Sequence, residues 1–129
     1  MLNSIIVNAI LEENIDELKD FLAQGMDVNA QNQDGWTALF FSSYHGSFEI
    51  VKLLLEHGAN SNISNEHGWT ALHLSALNDQ VDVTKVLIEY GAEVNSKDNY
   101  GQTVLDVAAQ CKSVEVIKVL LDHGAKFNV

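Results

Sequence analysis

The chain has 129 residues, 47% of them hydrophobic, which suits one domain able to bury a core. Its net charge is −11 and its seven basic residues are all lysine. Nucleic acids and anionic membranes are gripped by clustered Lys and Arg, so this balance argues against both and leaves basic proteins as partners, or a charge that serves only solubility.

The first segment, 1–11, is mildly apolar but lacks a basic start, and Glu12 and Glu13 follow at once. It does not read as a signal peptide. No run in the chain approaches the roughly 18 apolar residues of a membrane span. The single cysteine, Cys111, excludes an internal disulfide framework. The expected setting is soluble, reducing and cytoplasmic.

From residue 25 onward the chain repeats itself. Glycines stand at Gly25, Gly58, Gly91 and Gly124, and again at Gly35, Gly68 and Gly101, always 33 residues apart. Asn29, Asn62, Asn95 and Asn128 keep the same step, as do Thr37, Thr70 and Thr103, and Leu39, Leu72 and Leu105. A fixed period of this length marks stacked structural units. The spacing divides one domain, 1–129, into four units of about 1–31, 32–64, 65–97 and 98–129.

Each unit carries the same punctuation, taken here in chain order. Asp34-Gly35 predicts a turn with glycine at positive φ, and Thr37 is placed to cap a short helix. Phe48, Ile50, Val51, Leu54 and Leu55 have helical spacing and predict a second helix, stopped by Gly58 as its C-cap. His67-Gly68 opens the next unit, with Thr70 before the helix Ala71-Leu72-His73-Leu74-Ser75-Ala76. Tyr100-Gly101 and Thr103 open the last. Glu49/Lys52/Glu56, Asp82/Lys85/Glu89 and Glu115/Lys118/Asp122 pair acids with lysine along one stripe of the second helices. That stripe reads as a solvated outer face.

The segments 34–62, "DGWTALFFSSYHGSFEIVKLLLEHGANSN", and 67–95, "HGWTALHLSALNDQVDVTKVLIEYGAEVN", resemble the ankyrin repeat, and the likeness covers nearly the whole chain. It implies an all-α solenoid of stacked antiparallel helix pairs with projecting β-turn or hairpin loops. The family's Thr-Pro-Leu-His appears as Thr37-Ala38-Leu39-Phe40, Thr70-Ala71-Leu72-His73 and Thr103-Val104-Leu105-Asp106, without any proline. His73 matches the loop-bracing histidine. Phe40 and Asp106 replace it, so their loops are expected to lose that brace. The resemblance also implies that Asn62 and Asn95 hydrogen-bond the loop backbone.

The two ends read differently. Asn8, Glu17 and Asp20 stand where later units have Phe41, Leu74 and Val107, then Ile50, Val83 and Val116, then Leu53, Val86 and Val119. This predicts a polar N-terminal cap. Leu105, Ile117 and Leu120 stay apolar where a next unit would pack, and Asp106 looks like a last repeat. A monomer is expected, with association through that C-terminal end face as the other option.

No catalytic constellation emerges. His57 and His123 fall just before capping glycines and read as helix-end partners. Cys111 has no second cysteine for a zinc site. No enzyme activity, metal or cofactor is expected. The resemblance implies binding of a partner protein at the concave face, through loop tips and the first helices. Carried over position by position, this gives Asp34, Trp36, Tyr44 and His45; Glu66, His67, Trp69, Leu77 and Asn78; and Tyr100, Gln102 and Gln110. Gln33, Asn99, Cys111, Leu11 and Glu12 extend the same rows. Trp36 and Trp69 follow the turn glycines, where a large aromatic either meets a partner or lies on its neighbouring loop. Two other readings stay open: an inhibitor or immunity-like protein blocking a basic enzyme, and a structural or designed scaffold without a ligand.

Overall fold

The computed structural model describes residues 1–127; Asn128, last of the asparagine series, lies outside the described residues. Eight helices follow in four pairs: α1 (Ser4–Leu11) and α2 (Ile15–Ala23), α3 (Ala38–His45) and α4 (Phe48–Glu56), α5 (Ala71–Leu77) and α6 (Val81–Glu89), α7 (Val104–Gln110) and α8 (Val114–Asp122). The first helices α1, α3, α5 and α7 pack side by side as an inner layer. Helices α4, α6 and α8 form an outer layer, each against its own partner. Among the described residues no strand forms, and the one β-type pairing is an isolated antiparallel bridge from Lys97 to Thr103.

Local chemistry explains where each helix starts. Asn3 Oδ1 accepts from Ile6 N–H at 2.9 Å, and Thr37 Oγ1 accepts from Phe40 N–H at 3.2 Å. Each satisfies an amide that the first turn leaves without a carbonyl. Thr70 and Thr103 do the same, and there the side chain three residues on reciprocates. Asp106 Oδ2 accepts from Thr103 N–H at 2.9 Å, so the residue that replaces histidine keeps half of its work. Phe40 does its part by packing: it is buried, with its ring centroid 5.8 Å from that of Trp36.

The helix ends are equally regular. The cap of α4 is His57, with Gly58 one residue beyond it at φ +89°, so the glycine serves as the left-handed exit rather than as the cap. His57 Nδ1–H donates to the Leu53 carbonyl at 2.9 Å, and His123 Nδ1–H to the Val119 carbonyl at 2.8 Å. The turn between the helices of a pair also needs one residue at positive φ. Gly46 supplies it at 83°, but Glu13, Asp79 and Lys112 occupy the same place at 53°, 53° and 57°.

The core lies between the layers. Leu18, Val51 and Thr84 are equivalent positions with no exposed surface, as are Leu72 and Leu105 in the inner layer. Asparagines tie the loops together on one side: Asn62 Nδ2 donates to the Gly91 carbonyl at 3.0 Å, and Glu93 N–H donates to Asn62 Oδ1 at 2.8 Å. Asn29 and Asn95 repeat the arrangement. The outer charged stripe is exposed, and within it Glu115 and Lys118 form an ion pair at 3.4 Å.

The ends are as unlike as their sequences. Asn8 and Asp20 are exposed and Glu17 is half-buried, whereas Leu74, Val83, Val86, Val107 and Val116 are buried. At the other end the expected apolar face needs correction. Leu105 and Leu120 are fully buried. The apolar surface there consists instead of half-buried Ile117 with exposed Leu121 and Phe127.

Candidate functional site

Each unit after the first begins with a hairpin tip built around one side chain. Asn32 Oδ1 accepts from the N–H groups of Asp34 and Trp36, both at 2.9 Å. Asn65 Oδ1 accepts from His67 at 2.9 Å and Trp69 at 3.0 Å. Asp98 Oδ1 accepts from Tyr100 and Gln102, both at 2.9 Å. These side chains mimic a backbone turn and aim the following residue toward the inner helices. Successive tips lie against one another: a Cβ on Gly68 would stand 2.7 Å from Asn99 N.

The tryptophans sit immediately before the N-caps Thr37 and Thr70. From there a large side chain reaches the fourth residue of the helix, as a hydrophobic staple. Trp36 does this with Phe41, ring centroids 4.9 Å apart, and also meets Tyr44 at 6.0 Å. Trp69 stacks at a tilt on His73 at 5.3 Å, and its indole N–H donates to Asp98 Oδ2 at 3.0 Å. Both indoles are half-buried. Each therefore packs the stack and still shows a face to solvent.

That face belongs to a groove of about 860 Å³ between the hairpin tips and the inner helices. Its floor is Phe41 and Tyr44 of α3 with Leu74 and Leu77 of α5; its wall is the hairpin tips with Asp34, Trp36, Glu66, His67, Trp69, Tyr100 and Gln102. The structure thus brings together nine of the expected residues; Gln33, Asn99, Cys111, Leu11 and Glu12, which extend the same rows, do not line the groove, and neither do three others. His45 is exposed at the end of α3 and does not line the groove. Asn78 is turned away, its amide donating to the Tyr44 carbonyl at 2.8 Å. Gln110 is exposed at the end of α7, outside the groove.

Asn32, Phe41, Asn65, Leu74 and Asp98 also line the groove and were not expected there. Asn32, Asn65 and Asp98 are themselves 33 apart, so the period that exposed the glycines marks them too. Phe41 and Leu74 read as residues buried against the preceding unit, a role they combine with flooring the groove.

Charge in the site is arranged around Asp98. Burial alone would raise its carboxyl, but the N–H groups of Gln102 and Tyr100, the Trp69 indole and the nearby His73 together hold it below the usual carboxylate range. His73 is fully buried. Burial lowers its pKa by more than the Gln102 carbonyl and Asp98 raise it. Its Nδ1 takes the Thr70 N–H at 3.2 Å, so the proton of the neutral ring sits on Nε2 and points to the Gln102 carbonyl at 3.3 Å. The titratable pair thus braces two units against each other. Among the described residues no group of three His, Cys, Asp or Glu side chains could hold a metal ion, and no helix is long and apolar enough to cross a membrane.

A family model described as ankyrin repeats (three copies) matches residues 6–98 and 68–129. No curated protein matches the chain.

Proposed function

Since the chain belongs to the ankyrin-repeat family, whose members are generally protein–protein interaction modules, we propose that it is a non-catalytic binder that holds a partner protein in its concave groove. One observation carries this reading: three successive units contribute exposed apolar and aromatic side chains, Tyr44, Leu77 and Tyr100, to one continuous groove. Contiguous apolar surface of this kind, rimmed by polar groups, is typical of interaction sites. The rim carries Asp34 and Glu66, which favours a partner that is basic where it meets them. Helix packing and stacked hairpins hold these groups in place before binding, so little ordering is needed on association. Asp98 and His73, the groups with displaced pKa values, are engaged in bracing neighbouring hairpins, which supports a binding rather than a catalytic role. A reducing, cytoplasmic setting accompanies the reading, supported by the lone cysteine.

The test is retention of a partner from native lysate by the parent and by a Tyr44→Ala/Leu77→Ala variant. These side chains are exposed, so the variant keeps the stack, whereas replacing Trp69 would strip a donor from Asp98. Losing two central contacts should cost about 2 kcal/mol or more, roughly thirtyfold in Kd. A partner retained equally by both proteins would place binding on another face.

A further inference from the structure

Resting on the concave reading above, we infer that the groove's occupant is a short amphipathic cationic peptide segment, its apolar side chains on the floor and its Lys or Arg side chains against the hairpin wall. The groove is asymmetric in a way that selects for such a segment. The floor, Phe41, Tyr44, Leu74 and Leu77, presents apolar and aromatic side chains from the inner helices. The carboxylates are confined to the wall. Asp34 and Glu66 stand on adjoining hairpins whose backbones meet, with Glu66 N–H 3.4 Å from the Asp34 carbonyl.

None of the seven lysines lines this groove, and the chain has no arginine. The one candidate cation is His67, which lies 3.4 Å from Glu66. A neutral apolar ligand would fill the floor and leave the carboxylates partly desolvated beside it. An acidic ligand would meet like charge. A cationic, amphipathic one satisfies both surfaces at once.

The size of the groove argues for a segment rather than a domain face. Its volume of about 860 Å³ lies inside the roughly 300–1,000 Å³ range of ligand clefts, and it is open on one side, which admits a chain segment lying across the tips. The wall also changes along its length. The tip residues run Asp34, His67, Tyr100, and the residues before them Gln33, Glu66, Asn99. The exposed carboxylates therefore flank the Trp36 end, whereas Asp98 at the Tyr100 end is buried and engaged by the N–H groups of Trp69, Tyr100 and Gln102. The segment's cations belong at the first end.

The probe is a random peptide display library, panned on the full chain and counter-selected on the Tyr44→Ala/Leu77→Ser variant. Enriched peptides should combine apolar residues with Lys or Arg. Titration calorimetry should show them weakened about tenfold by Asp34→Asn/Glu66→Gln, with most of their salt dependence lost. Enriched peptides that are neutral or acidic, or that are indifferent to Asp34→Asn/Glu66→Gln, would overturn the cationic class and leave the concave reading standing. A selection that enriches nothing over the counter-selected variant would overturn the proposal, and the pull-down then decides the concave reading separately.

Discussion

Asp98 collects the N–H groups of Tyr100, Gln102 and Trp69 on one carboxylate. Asp98→Ala would leave these donors without a partner and should cost about 1–3 kcal/mol, read from a urea denaturation midpoint. Asp98→Asn should cost less, because Asn32 and Asn65 already hold the equivalent turns. His73 and Asp98 also set a pH dependence. Both have folded pKa values below their unfolded ones. For His73, the unfolded chain takes up a proton first as pH falls below about 6.5, so stability declines through that window. For Asp98, stability is fully present above about 3.9 and is lost as pH falls through its lower folded value. Thermal melts at pH 7.5 and 5.5 should show a drop for the parent that is smaller for His73→Asn. An equal drop in both would show that His73 is not its source.

Each helix pair turns through one left-handed residue, and the four units solve that turn unequally. Asp79 and Lys112 hold positive φ with a side chain, at a cost of about 1 kcal/mol each. Lys112→Gly should therefore stabilise by no more than about 0.5 kcal/mol in chemical denaturation, once the glycine's greater unfolded freedom is subtracted. Gly68→Ala should do the reverse, costing about 1–3 kcal/mol, because it joins positive φ to a contact 2.7 Å from the next hairpin's backbone. The helices and glycine turns were legible because they follow the 33-residue step and familiar capping chemistry. The interhelix turn was not, because Glu13, Gly46, Asp79 and Lys112 share a conformation and no side-chain chemistry. Asn78 misled for a related reason: its position faces the groove side, but its amide is captured by the carbonyl of Tyr44. Position predicts direction, whereas the hydrogen bond that claims a side chain depends on the neighbouring unit.

Across the whole molecule, units touch only their neighbours, so stability is unevenly shared along the stack. The inner units have a neighbour on both sides. Leu18 is the only buried residue of α2, while α4 and α6 each bury four. Amide hydrogen exchange should be slowest in α3 to α6 and faster in α2, and uniform protection would show that the four pairs open together. The groove lies on that well-supported middle, formed by α3, α5 and their hairpins. Its existence was legible from the periodic rows. Its true floor was not, since Phe41 and Leu74 look like interior residues until the helices are placed side by side. The chain's two tryptophans both stand at this groove, half in the core and half in water. All of its indole fluorescence therefore originates at the candidate site. An occupant that displaces solvent there would shift the emission to the blue without any attached dye, and a ligand on the outer helices would leave the spectrum unchanged. The protein is in effect its own optical sensor of which face is in use.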